Sequence, residues 1–180
     1  MTGFAKGARV YVDECKAKGY YIAAAVVMPH DATMLDKSIR RLNRPGQRRI
    51  HFTKESDSSK RKLISEVITL GLTVVVYHVR GQPDRAARPL CINALVDDLV
   101  AAECAHLILE RDASLEKADR QMIAAALDRN GGYALRYEHT APSDHALLWI
   151  SDMVAWCCHK GGEWHRRVQP MIADIRSLAP

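Results

Sequence analysis

RVYVDECKAKGYYIAAAVVMP (Arg9–Pro29) is the stretch on which the reading of the fold turns. Residues 8–14 alternate in the manner of a strand, residues 20–29 form a second β-prone run, and the polar segment CKAKG between them reads as a turn. The two runs make a hairpin. Its first strand leads into two adjacent carboxylates, Asp13 and Glu14, and a core strand has no structural reason to end on uncompensated negative charge. Something positive should meet them.

Outward from the hairpin, DATMLDKSIRRL (31–42) predicts a short helix begun by Asp31, and RRIHF (48–52) predicts a third strand after the Pro45–Gly46 turn. A helix of about 14 residues follows, capped from SDSS and carrying Leu63, Ile64, Val67 and Ile68 at helical spacing. LTVVVYHV (72–79) is β-branched without polar alternation, as suits a central strand covered on both faces. Helices over 88–104, 114–129 and 144–159 then alternate with strands over 106–112 and 133–139, and the tail Trp164–Leu178 reads as an amphipathic C-terminal helix. That tail would pack on the domain or on a second copy, which leaves a homo-oligomer open.

The 180 residues fit one compact domain able to bury a core without disulfides or a structural metal. No apolar run approaches the ~20 residues of a membrane-spanning helix, and MTGFAKGARV lacks the apolar centre of a secretory signal, so a cytoplasmic location is expected. The five cysteines (15, 91, 104, 157 and 158) contain no C-x-x-C pair, which points to reduced thiols. CCHKGGEWH (157–165) has poor spacing for zinc, since neighbouring residues on a helix point about 100° apart. Nucleotide-binding and serine-hydrolase signatures are absent: no G-x-x-x-x-G-K-[ST], G-x-G-x-x-G or G-x-S-x-G occurs.

The net charge of +5 is clustered. RRLNRPGQRR holds Arg40, Arg41, Arg44, Arg48 and Arg49, five arginines in ten residues, and such a patch is either a solvated face or a grip on the phosphate backbone of RNA or DNA. KRK (60–62) and HRR (165–167) are smaller and read as solvated surface.

The element order, three strands followed by alternating helices and strands, is that of an RNase H-like α/β fold. Such a fold has a mixed sheet, antiparallel in its first three strands and parallel after them, flanked by helices. VYVDE, GYYIAAAVVMP, RIHF before a helix, ILERDAS and LLWISDMVAW, taken in that order, resemble the RNase H-like family catalogued as domain of unknown function 3800. The resemblance implies a nuclease site of acidic residues using Mg²⁺ or Mn²⁺. Chemistry supports such a site independently, because two divalent ions about 4 Å apart need several hard oxygen ligands and in their absence converging carboxylates repel one another.

On that resemblance Asp13, Asp112 and Asp152 are the expected metal ligands, with Glu110 or Glu66 assisting. Asp13 and Glu14 point to opposite faces of an extended strand, so Glu14 supports from outside; the competing reading is that both acids simply begin an exposed turn with Cys15 and Lys16. Glu110 and Asp112 share a face if the strand continues that far, whereas Asp112 as an N-cap or Asx turn before Ser114 is the competing reading. Asp152 lies in an apolar helical stretch between Trp149 and Trp156 and needs a cation, a basic side chain or solvent. His145 stands seven residues before it, as a phosphate contact or a surface histidine, and Asp144 reads as the N-cap. The family pattern has a glutamate before the apolar-His pair where this chain has Arg49 before Ile50 and His51, and Glu66 and Glu55 are the candidates to replace it. The alternative function is a catalytically weak or inactive module of the same fold that binds nucleic acid through its arginines.

Overall fold

The computed structural model describes residues 3–17 and 19–179. The hairpin is β1 (Arg9–Ala17) and β2 (Gly19–Val27), antiparallel over their whole length; Lys18, in the predicted turn, lies outside the described residues. After α1 (Pro29–Arg41) and α2 (Asp57–Ile68), capped by Ser56, comes β3 (Thr73–Val79), antiparallel to β2. Then follow α3 (Asp84–Ala101), β4 (His106–Glu110), α4 (Glu116–Arg129), β5 (Arg136–Thr140), α5 (Leu147–Lys160), α6 (Gly162–Val168) and β6 (Ile172–Leu178). The sheet order is β5-β4-β1-β2-β3-β6, with β4 parallel to β1, β5 parallel to β4 and β6 parallel to β3. No helix among the described residues is long and apolar enough to cross a membrane.

Two predicted elements differ. RRIHF is not a strand: Ile50 and Phe52 are buried in the core, but the backbone turns into a short 3-10 helix over Phe52–Lys54, with the Lys54 N–H on the His51 carbonyl at 2.9 Å. Its place beside β2 is taken by β3, whose buried β-branched run makes the better ladder. The tail is not one helix either. Pro170 cannot continue α6, and IADIRSL then alternates with period two and extends the sheet beyond β3, with a register shift between Val74 and Val75.

Both faces of the sheet are covered, and β1 shows how. Val10 and Val12 point to one core with α3 and α4, while Tyr11 points to the other with α1, α2, α5 and α6. Glu14, on the α3 side, therefore meets Arg88. The Arg88 Nε and Nη2 form a fork on the Asp119 carboxylate, both at 2.7 Å, and Nη1 donates to the Tyr20 hydroxyl at 2.5 Å and pairs with Glu14. Tyr20 also donates to Glu14, and His139 Nε2 contacts Asp119 at 3.0 Å. Burial would raise Asp119, but hydrogen bonds from Arg88 and His139 outweigh it and hold this carboxyl at about 2.

The positive partner that Glu14 demanded is thus a buried guanidinium tying β1, β2, α3 and α4 together. Arg88→Met should cost about 3–5 kcal/mol in urea unfolding, because it leaves the buried Asp119 carboxylate with only His139 and removes the guanidinium shared with Glu14. Asp119 lies below its unfolded value of about 3.9, so its contribution is full above that pH and should fade as pH falls towards 2, measurable as a drop in the urea midpoint.

Candidate functional site

The parallel register of β1 on β4 sets Val12 opposite Leu109. The next positions along this ladder are Asp13 and Glu110, and both lie on the α5 face, since Tyr11 and Ile108 two residues before them do. Asp13 is paired across the hairpin with Ala23, and Ala23 and Ala25 are fully buried. Small side chains there let α5 pack close against β1 and β2. The helix is fastened by the buried Ser151 hydroxyl, which donates to the Tyr11 carbonyl at 2.8 Å. Its neighbour Asp152 is carried to the same side of the sheet as Asp13 and Glu110.

The three carboxyls feel one another. Asp13 is pushed well above the usual carboxylate range by burial, then by the charges of Glu110 and Asp152 and a direct hydrogen-bonding contact with Glu110. Asp152 is pushed up to about 6, by burial first and Glu110 second, against the opposing pull of the Phe52 backbone amide and Arg49. Arg49 is the one guanidinium in contact with the cluster among the described residues, with Nη1 3.3 and 3.5 Å from the two Glu110 oxygens. Its Nη2 lies 2.7 Å from His51 Nε2. Arginine has no acceptor, so the imidazole accepts there and carries its proton on Nδ1; burial and the Arg49 charge depress His51 accordingly.

Asp13, Glu110 and Asp152 are therefore brought together, and the other expected acids are not. Asp112 lies beyond the end of β4, on the rim of a hollow of about 400 Å³ that Asp13, Glu14 and Glu110 also line. Its Oδ1 accepts from the Ser114 N–H at 3.0 Å and hydroxyl at 2.6 Å, the Asx turn of the competing reading, and Lys16 stands 3.7 Å from Oδ2. Glu66 is exposed on α2, outside the buried stripe of Leu63, Ile64 and Val67. Glu55 is held by Arg44 and Ser59, both at 2.7 Å. His145 precedes α5 and packs edge-on to Tyr11. Asp144 does not cap α5: Asp36 of α1 reaches over and accepts from the Ala146 N–H at 2.6 Å, while Asp144 takes the Thr140 hydroxyl.

The arginine cluster divides into different roles. Arg40 is structural, bonded to Asp36 and to the carbonyls of Ser143 and Asp144, and lies over the Trp149 ring. Arg41 is exposed at the end of α1. Arg44, Arg48, Arg49, His51 and Lys54 line a cleft of about 750 Å³ beside the carboxylates, where Arg48 and Lys54 have no ion-pair partner among the described residues. The loop from 42 to 56 that carries this cleft is pinned by the buried Lys60, whose ammonium donates to the Glu55 carbonyl and lies over the Trp156 ring.

Sequence reasoning missed Ser151 and the counter-ion role of Arg49. A serine inside an apolar helix beside an acid is the available signal for the first. For the second it is a basic residue standing where an acid is expected. Among the described residues no group of three His, Cys, Asp or Glu side chains forms a ready metal cage. The donor set of Asp13, Glu110 and Asp152 still fits a hard cation chemically: carboxylate oxygens only, under mutual repulsion that a divalent ion relieves.

No protein-family model and no curated protein matches the chain. Solved structures do. The chain superposes on the PCNA:RNase HII complex from Archaeoglobus fulgidus with a TM-score of 0.54 and 11% identity, covering 86% of this chain and 73% of that one. Against a glutamine-to-alanine mutant of Bst-RNase HIII the TM-score is 0.51 at 13% identity, covering 93% of this chain and 54% of that one. Bst-RNase HIII in complex with Mn²⁺ gives 0.50 at 12%, covering 84% and 51%. The chain spans about half the length of these RNase HIII chains. With its sheet order and strand directions, this likeness shows an RNase H-like fold.

Raised carboxyls fix the direction of a pH effect. The folded Asp152 binds its proton more tightly than the unfolded one, so ionising it costs stability as pH rises from about 4 to about 6. In metal-free buffer Asp152→Asn should melt higher than the parent at pH 8, by on the order of 1–2 kcal/mol, and the difference should vanish near pH 4. Thermal unfolding at the two pH values measures it.

Proposed function

We propose that the chain is a divalent-metal-dependent nuclease that hydrolyses phosphodiester bonds of RNA or DNA with Mg²⁺ or Mn²⁺. The observation that carries the reading is the convergence of Asp13, Glu110 and Asp152, from two strands and a helix, beside a cleft lined by cations. Likeness to the RNase HII and RNase HIII structures, one of them holding Mn²⁺, supports it. So does the resemblance to domain of unknown function 3800. Asp13, Glu110 and Asp152 would hold the metal, and Asp112 stands at the rim, where rotation away from Ser114 would bring a fourth carboxylate. A divalent ion held there would supply activation of water and stabilisation of the leaving oxygen. The chain's own part is to gather the acids on a rigid sheet end, with α5 anchored through Ser151, and to guide the phosphate backbone along Arg48 and Lys54.

Labelled RNA and DNA oligonucleotides incubated with Mg²⁺, Mn²⁺ or EDTA test this. Cleavage is expected with either ion and none with EDTA, and Asp13→Asn or Asp152→Asn should lower it by on the order of 100-fold or more while the circular dichroism spectrum is retained. Unchanged cleavage in both variants would refute the assignment. Arg48→Ala and Lys54→Ala should each weaken binding and reduce the slope of log affinity against log salt by about one.

One observation favours the second reading, a binding module without catalysis: Arg49 already neutralises part of the carboxylate cluster. Salt-sensitive binding with no metal-dependent cleavage would select it.

A further inference from the structure

We propose that Arg49 is a displaceable internal counter-ion, and that phosphate binding in the basic cleft draws it off Glu110 and so admits a cation to the carboxylates. The inference rests on the metal reading above and adds a coupling between the two ligands that this reading does not contain.

Position carries the argument. The Arg49 side chain is 23% exposed, touches Glu110 on one side and lines the 750 Å³ cleft on the other. No other arginine of the 40–49 segment touches both regions among the described residues: Arg40 is committed to Asp36 and two carbonyls, Arg44 to Glu55. Its hold on Glu110 is loose. Separations of 3.3 and 3.5 Å exceed the 2.7 Å of each arm of the Arg88 fork on Asp119 and the usual length of a charge-assisted bond. The His51 contact does not compete for charge, because the imidazole accepts there as a neutral ring.

A guanidinium and a divalent cation within a few ångströms of one carboxylate repel each other, so each weakens the binding of the other. A phosphate in the cleft offers Arg49 two acceptor oxygens in fork geometry, a better partner than Glu110 as it now stands. Thermodynamic reciprocity then requires that metal strengthen phosphate binding by the factor with which phosphate strengthens metal binding.

Mn²⁺ affinity, read from the paramagnetic resonance of the free ion, tests this without any turnover. In the full-length chain Arg49→Gln should bind Mn²⁺ about tenfold more tightly than the parent. A short phosphorothioate oligonucleotide, with its own Mn²⁺ uptake subtracted, should tighten Mn²⁺ binding to the parent several-fold and leave Arg49→Gln unchanged. Adding Asp152→Asn should abolish the gain, placing the ion at the cluster. Arg49→Lys, which keeps the charge and loses the fork, should bind Mn²⁺ like the parent with less oligonucleotide coupling, and it serves if the glutamine variant does not fold. Equal Mn²⁺ affinity of parent and Arg49→Gln, both lost with Asp152→Asn, would overturn the counter-ion role and leave the metal site standing. Mn²⁺ bound by neither chain would overturn the metal reading and the inference together.

Discussion

Val12 opposite Leu109 in a parallel ladder decides what happens at the carboxylate end of the sheet. Once that pairing is made, Asp13 and Glu110 follow as neighbours on one face, whatever their charges prefer. Two ionised carboxylates in partial burial would push the strands apart, and the fold holds them through contacts further back: the long β1–β2 ladder, the packed alanines and the Ser151 bond to the Tyr11 carbonyl. Burial first, and then this repulsion, raise the proton affinity of Asp13 and Asp152.

The two sides of β1 treat negative charge in opposite ways. On the α3 side, Glu14 and Asp119 share a buried arginine that is bonded by all three of its nitrogens, with tyrosine and histidine completing the shell. On the α5 side, three carboxyls share one partly exposed arginine at long distance. The first arrangement is closed and contributes rigidity. The second is short of positive charge and lies beside a cleft lined by cations.

Much of this is legible in the sequence because it depends on local pattern. The hairpin, the buried β3 run, the alternation of helices and strands, and the need of Asp13, Glu14 and Asp152 for partners all follow from periodicity and desolvation. RRIHF misleads because Ile50 and Phe52 alternate as in a strand, yet no ladder is free to receive them once β3 lies beside β2. The Trp164–Leu178 tail misleads because helical spacing at its start conceals the switch to period two after Pro170. Asp112 and Glu110 differ by two residues, and which of them joins Asp13 depends on where β4 stops, a tertiary outcome. Partner identity is equally hidden: nothing local announces that Arg88 belongs to Glu14 and Arg49 to Glu110, since both pairs close over more than sixty residues.

Alternation along a single strand therefore gives its two faces different partners. Val10, Val12 and Glu14 face the α3 and α4 side, where Glu14 joins the Arg88 network, and Tyr11 and Asp13 face the α5 side with the acidic cluster. Exchanges at Asp13, Arg49, Glu110 and Asp152 thus change the charge on that side without rebuilding the ladder that presents them.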